Sequence, residues 1–255
     1  LETVIFASQV LLGTGLGMVL FHHLPALALL GIDALTFIGS LVMLILAGNA
    51  LPPLAPEQAA ETERPMAVRW QALAPRQKRS LLLLPVLAAV GSPAMALLPA
   101  LAQHIEPDDA AGLALPLLFA RSMGQLCGPL LLNRESLSRY AGQNRLLLTC
   151  LGLFLLAYGT IPLLSVTLAL GVVFIAHLAS NVVFAAGTFS LLSSFQASQV
   201  SSASGKAWRW QTVSASLFTC ITALAADVLG PLQALYGVSG CALLMVVGIL
   251  TRYSK

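Results

Sequence analysis

The stretch that decides the fold is residues 113–150, "LALPLLFARSMGQLCGPLLLNRESLSRYAGQNRLLLTC". It begins as an apolar run, holds one arginine, Arg121, deep inside that run, and gives way to a short basic segment. An apolar helix of about 20 residues is what the hydrocarbon core of a bilayer requires. A guanidinium inside such a helix is costly, roughly 2.5–3.5 kcal/mol on insertion scales, and has to face a bundle interior or a cavity. The pattern therefore reads as a membrane span followed by a connector on the basic side.

Working outward, similar runs recur along the chain. They lie at approximately 3–21, 30–48, 80–102, 112–132, 146–162, 165–191, 208–228 and 235–251. Lipid offers no partner for open backbone groups, so each run is expected to be a continuous helix. The fold class is an all-α polytopic membrane protein with eight transmembrane helices. Composition agrees: 58% of the residues are hydrophobic and 9% charged, against about 25% charged in soluble domains. The net charge of +3 gives no argument for a nucleic-acid partner.

The connectors alternate in character. Residues 49–79, "NALPPLAPEQAAETERPMAVRWQALAPRQKR", form one long loop rich in proline and charge. Residues 133–145 carry Arg134, Arg139 and Arg145; the serine-rich segment 192–207 carries Lys206, with Arg209 just beyond; the tail carries Arg252 and Lys255. The intervening segments, "HHLPALALLGID", "QHIEPDDAAG", "TIPLLS" and "DVLGPLQALYG", hold no lysine or arginine, only acidic residues such as Asp33, Glu106, Asp108, Asp109 and Asp227. Of the 13 basic residues, Arg121 alone falls outside the first group. The positive-inside rule makes the basic side cytoplasmic, with both ends of the chain there.

Arg121 lies about 13 Å into its span at 1.5 Å per residue, near the midplane. Two readings stand: an anion-attracting, proton-coupling or gating group, or an arginine held by helix carbonyls. No acidic residue of this sequence sits at its depth. Gln125 follows by one turn and shares its face. His177 and Asn181, in "GVVFIAHLASNVVFAAG", are also four apart on one helix face near mid-depth. Histidine can exchange a proton near neutral pH, although a satisfied polar pair between helices is the plainer reading. Gln9 is a further candidate for a cavity wall. Gly13 with Gly17, and Gly124 with Gly128, are small-xxx-small pairs that let helices approach closely.

Other features have structural readings. Asp33 is expected to cap the helix it begins. His22, His23, His104 and "EPDD" do not have metal-ligand spacing, and no cofactor is expected. Trp70, Trp208 and Trp210 fall where an aromatic belt is expected. Cys127, Cys150, Cys220 and Cys241 are read as buried free thiols packing as small hydrophobes. The sequence lacks HExxH, G-x-S-x-G and P-loop signatures, so an enzyme is not expected. "GTGLGM" lies within a span, outside the strand-turn-helix setting of a dinucleotide site.

The order of elements resembles the later two-thirds of a major facilitator superfamily transporter. "FASQVLLGTGLGMVL" is similar to the glycine-rich fifth span, and "GIDALTFIGSLVMLIL" to the sixth span of drug and siderophore exporters. "LPLLFARSMGQLCGPLLL" looks like their eighth span. "LSRYAGQNR" resembles a second copy of the cytoplasmic loop motif without its aspartate. "LLSSFQASQVSSASGKAWRWQ" resembles the loop before the eleventh span, keeping Gly205 and Lys206. The resemblance implies that 1–48 are the last two helices of an N-terminal six-helix half, 49–79 the central cytoplasmic loop and 80–255 the C-terminal half. It implies spans five to twelve of twelve, with the first four helices as missing partners, so that this stretch alone is not expected to transport.

The function implied is secondary transport in the plasma (inner) membrane: proton-coupled efflux of a small organic molecule by alternating access, with substrate at the midplane between two halves. Arg121, Gln125, His177, Asn181 and Gln9 are the candidates for the substrate and proton pathway. Within this fold the alternatives are an importer or a lipid flippase. From another class the alternative is a non-transporting membrane scaffold or sensor.

Overall fold

A computed structural model of the chain describes residues 2–21, 23–50 and 67–253. Among the described residues all regular structure is helical: α1 (Glu2–Phe21), α2 (Ala26–Ala50), α3 (Pro75–Ile105), α4 (Ala110–Leu130), the short α5 (Arg134–Tyr140), α6 (Asn144–Thr160), α7 (Val166–Ser194), α8 (Ala197–Leu229) and α9 (Pro231–Arg252). Six helical segments are long and apolar enough to cross a membrane: α2, α3, α6 with its 3₁₀ extension to Leu163, α7, α8 and α9. The chain therefore has the character of a multi-pass membrane protein. Of the eight expected spans, α4 is outside that set, and α1 enters with only its fully described part, the shorter apolar Leu11–Phe21. In α4 the length, about 31 Å, suffices, but Arg121 and Gln125 dilute its apolar character.

Local sequence explains the helix boundaries. Pro75 and Pro231 stand at first helical positions, where the missing N–H costs nothing. The Asp109 side chain accepts from Gly112 N at 3.0 Å and starts α4; Asn133 accepts from Ser136 N at 2.7 Å and starts α5. Gly230, with φ of 86°, turns α8 directly into α9.

Several helices extend past their apolar runs. α8 begins at Ala197, so most of the serine-rich segment expected as a connector is helical, and only Phe195 and Gln196 separate it from α7. α3 begins at Pro75 and takes in the last residues of the expected long loop; 51–66 of that loop lie outside the described residues. Asp33 does not cap α2. The helix starts at Ala26, and the Asp33 carbonyl accepts from Thr36 Oγ1 at 2.7 Å inside it.

α3 is the central helix. It packs most extensively on α8 and then on α9, while α7 packs most extensively on α4 and then on α6. These pairings are matched: exchanging α3 with α7, α4 with α8 and α6 with α9 turns α3–α8 into α7–α4, and α3–α9 into α7–α6. The match covers the two principal pairings of α3 and of α7; the α8–α9 contact has no comparable α4–α6 contact. The core joins Leu83, Val90 and Leu101 of α3, Leu117 of α4, Phe154 and Tyr158 of α6, Val173 and Val183 of α7, and Leu235 and Val246 of α9. Ser214 Oγ donates to Pro85 O at 2.8 Å, and Ser239 Oγ to Val90 O at 2.9 Å, tying α8 and α9 to α3.

The basic connectors meet at one end of the bundle. Arg79 Nη2 donates to Asn144 Oδ1 at 2.8 Å, and Asn144 Nδ2 to Leu250 O at 3.1 Å, which brings together the start of α3, the start of α6 and the end of α9. At the same end, residues 67–74 fold back on α8. Lys206 Nζ donates to Val68 O at 3.2 Å, and Trp70 meets Trp210 edge-on at 5.7 Å. Val68 and Leu73 are buried there beside Leu81, Leu191 and Ala203.

Candidate functional site

The α4–α7 crossing builds the site. Gly124 and Gly128 lie one turn apart on α4 and face α7. A Cβ on Gly124 would run into Phe174 O and come within 3.1 Å of the His177 Cβ; on Gly128 it would lie 2.9 Å from the Asn181 Cβ. Both glycines therefore stand against the α7 backbone at the positions of the two polar residues. Their neighbours Arg121 and Gln125 are brought beside His177 and Asn181 as a result. The Gly13–Gly17 pair of α1 behaves otherwise, with no atom within 4 Å of a Cβ at either position.

These four polar residues line one cavity of about 680 Å³. Its other walls come from Ser92 and Met95 of α3, Leu151 and Phe154 of α6, Phe184 and Thr188 of α7, and Trp208 and Gln211 of α8. Arg121 lies about 16 Å from the start of α4, and His177 a similar distance from the start of α7. The cavity thus reaches the middle of the bundle. Its size is that of a site for a small organic molecule.

Gln9 is not part of it. It is exposed on α1, whose described neighbours are α4 and, slightly, α2. A polar residue in an apolar run marks an interior only when its helix has neighbours on that side.

His177 is buried and held from below. Its Nε2 lies 2.6 Å from Tyr158 Oη, which also reaches Met95 Sδ at 3.5 Å. Phe154 meets the imidazole edge-on at 5.4 Å. The phenol has one proton to give. If it goes to Nε2, then Nδ1 of the neutral ring is the donor; if it goes to sulfur, Nε2–H donates to the phenol and Nδ1 accepts. Asn181 Nδ2 donates to the His177 carbonyl at 3.1 Å, and Ser180 Oγ approaches the same oxygen at 3.2 Å.

Buried polar atoms without a protein partner collect around this cavity. They are Arg121 Nε, Gln125 Oε1, His177 Nδ1, Thr188 Oγ1 and Gln211 Oε1, each on a residue that lines it. Such atoms need a water or a ligand, because a buried polar group left unmatched costs about 1–3 kcal/mol. Among the described residues no carboxylate lies within ion-pair distance of Arg121; the ion pair found is Arg139–Glu135, 3.7 Å, on exposed α5. The site therefore combines a cation, neutral donors and acceptors, and an aromatic wall of Phe154, Phe184 and Trp208.

Sequence reading missed Tyr158, Gln211, Thr188 and Trp208. Tyr158 had a usable signal, since a phenol inside an apolar span requires a partner. Trp208, expected at the membrane interface, is 49% exposed and forms part of the cavity wall. The cysteines also differ from expectation: Cys220 and Cys241 face outward, and Cys127 and Cys150 are half-buried. Among the described residues no group of histidine, cysteine and carboxylate side chains could hold a metal ion. Comparison of the chain with known protein families, with curated proteins and with solved structures found no match.

Proposed function

We propose that the chain is part of a secondary transporter of the major facilitator type, moving a small organic molecule through the central cavity in exchange for protons. The observation that carries this reading is the convergence of unpartnered polar atoms from α4, α7 and α8 on one mid-depth cavity. A scaffold gains nothing from leaving such atoms unmatched, whereas a carrier needs groups whose partners arrive and leave with the cargo. The matched pairing of α3, α4 and α6 with α7, α8 and α9 supports the same reading, because opposed three-helix units are a recurrent basis of alternating access.

On this reading α1 to α4 and α6 to α9 are the eight spans, 80–255 is one rocking half, and further helices face the cavity from the α1 side. The basic end is cytoplasmic in the plasma (inner) membrane. Arg121 and Gln125 orient the cargo. His177, backed by Tyr158, carries the proton through its free Nδ1. Efflux is the direction that the exporter-like segments favour.

The test is flux in vesicles containing the full transporter under an imposed pH gradient. Cargo leaving the cytoplasmic face as protons enter is expected, with Arg121→Gln abolishing it. Cargo accumulating with the proton flow indicates an importer, and lipid scrambling a flippase. Absence of flux under any gradient, with Arg121→Gln altering only stability or partner binding, would overturn the proposal in favour of a scaffold.

A further inference from the structure

A second pocket, of about 320 Å³, lies at the basic end of the bundle, apart from the central cavity. Its walls include Arg76 and Arg79 from the first turns of α3, Ser138 of α5, Ser190 and Ser193 from the last turns of α7, and Tyr253 beyond α9. We propose that this pocket is a binding site for a phosphate-bearing anion.

Arg79 is the fixed part of the site. Its side chain is 9% exposed, although it carries a full charge. Leu250 O can only accept, so Asn144 must give it the amide N–H and keep Oδ1 for Arg79. That contact uses one edge of the guanidinium. The Nε remains buried without a partner. Arg76 sits three residues earlier on the same face of α3 and is exposed. Two like charges at this spacing repel, and among the described residues no carboxylate lines the pocket or pairs with either arginine. The one acidic residue of α5, Glu135, pairs with Arg139.

A competing account holds that the arginines merely neutralise the carbonyl end of α7. The hydrogen bonds argue against it. Ser194 O receives Gln77 Nε2 at 3.1 Å, and Ser190 O receives Ser193 Oγ at 3.4 Å; neither receives an arginine. Arg79 Nε and the Arg76 guanidinium are thus left for an external acceptor. The first turn of α3 adds the positive end of its dipole to the same place. Arginine with hydroxyl donors is the donor set that suits phosphate oxygens. The pocket lies where α3, α7 and α9 end, which on a membrane reading is headgroup level, so a phospholipid headgroup and a free phosphate ester share the required chemistry.

The experiment uses the full chain, delipidated in an uncharged maltoside detergent. Thermal unfolding is followed with inorganic phosphate against equal ionic strength of chloride, and with added phosphatidylglycerol; bound lipid is counted by native mass spectrometry. Ser193→Glu leaves both arginines in place and puts a carboxylate into the pocket. Arg76→Gln removes the exposed cation without touching the Arg79–Asn144 contact. A saturable rise in Tm of several degrees is expected in the unmodified chain. It should be lost in Ser193→Glu, with apparent affinity about tenfold weaker in Arg76→Gln. A rise with phosphate alone identifies a soluble phosphate ester. A rise only with phosphatidylglycerol, with one tightly held lipid per chain that Ser193→Glu releases, identifies a headgroup. No rise with either, or equal rises in the unmodified chain and in Ser193→Glu, overturns the proposal.

Discussion

The most apolar stretches of α2 and α3 are about equally hydrophobic, yet they meet different surroundings. No residue of α2 is buried, while α3 is the helix around which the bundle is assembled. The glycine pairs repeat the contrast: Gly124 and Gly128 press against the backbone of α7, and a Cβ at Gly13 or Gly17 would meet no atom within 4 Å. Hydropathy and small-residue spacing thus describe what a helix is compatible with. Which face meets protein and which meets lipid is settled by partners elsewhere in the chain.

The largest expected effect tests that contrast directly. Gly124→Leu would drive a side chain into the Phe174 carbonyl and the His177 Cβ. Overpacking of this kind costs about 3 kcal/mol, read as a fall in Tm or a loss of monodisperse protein. Gly13→Leu should change Tm by no more than about 0.5 kcal/mol equivalent. Equal damage from both would mean that α1 has a close neighbour on its glycine face.

Tyr158→Phe comes next. It removes the hydroxyl under His177 and leaves Nε2 without its protein partner, at a cost of about 1–2 kcal/mol in chemical or thermal unfolding. On the proton-carrying reading it also shifts the pH profile of flux. A change in stability with an unaltered profile would restrict Tyr158 to packing.

Ser239→Ala breaks the α9–α3 contact at Val90 O, for about 0.6 kcal/mol, the usual size of such a bond between membrane helices. Arg121→Met is expected to leave stability unchanged or raise it slightly, because no ion pair is lost, while binding of a cargo falls at least tenfold. Destabilisation without loss of binding would indicate an arginine kept for structure. The smallest effect is expected for Leu41→Ala in α2, whose side chain is 58% exposed; it should be silent in unfolding.

The apolar runs were legible because bilayer thickness sets the length such runs need, and each coincides with a helix to within a few residues where the helix stays apolar. The discrepancies arise where it does not. α8 was expected over 208–228 but continues back to Ala197, since serine, glycine and lysine end a hydropathy signal without ending a helix. α3 extends back through its basic first turn for the same reason. The pairing of Arg121 with Gln125, and of His177 with Asn181, followed from spacing, but the meeting of the two pairs in one cavity required the α4–α7 crossing. Gln9, the weaker candidate in sequence, lies exposed on α1 and outside that cavity. Cys220 and Cys241 show the complementary ambiguity: a lipid-facing surface is as apolar as a core, so composition cannot separate the two.

The chain contains three tryptophans, and they are unevenly placed. Trp70 and Trp210 meet edge-on away from the cavity, while Trp208 stands in its wall beside Phe184 at 6.2 Å. Replacing the Trp70–Trp210 pair by phenylalanine leaves a single indole emitter in the wall of the chamber. Its quenching or blue shift would then register filling of the site directly, with no attached dye and before any cargo has been identified.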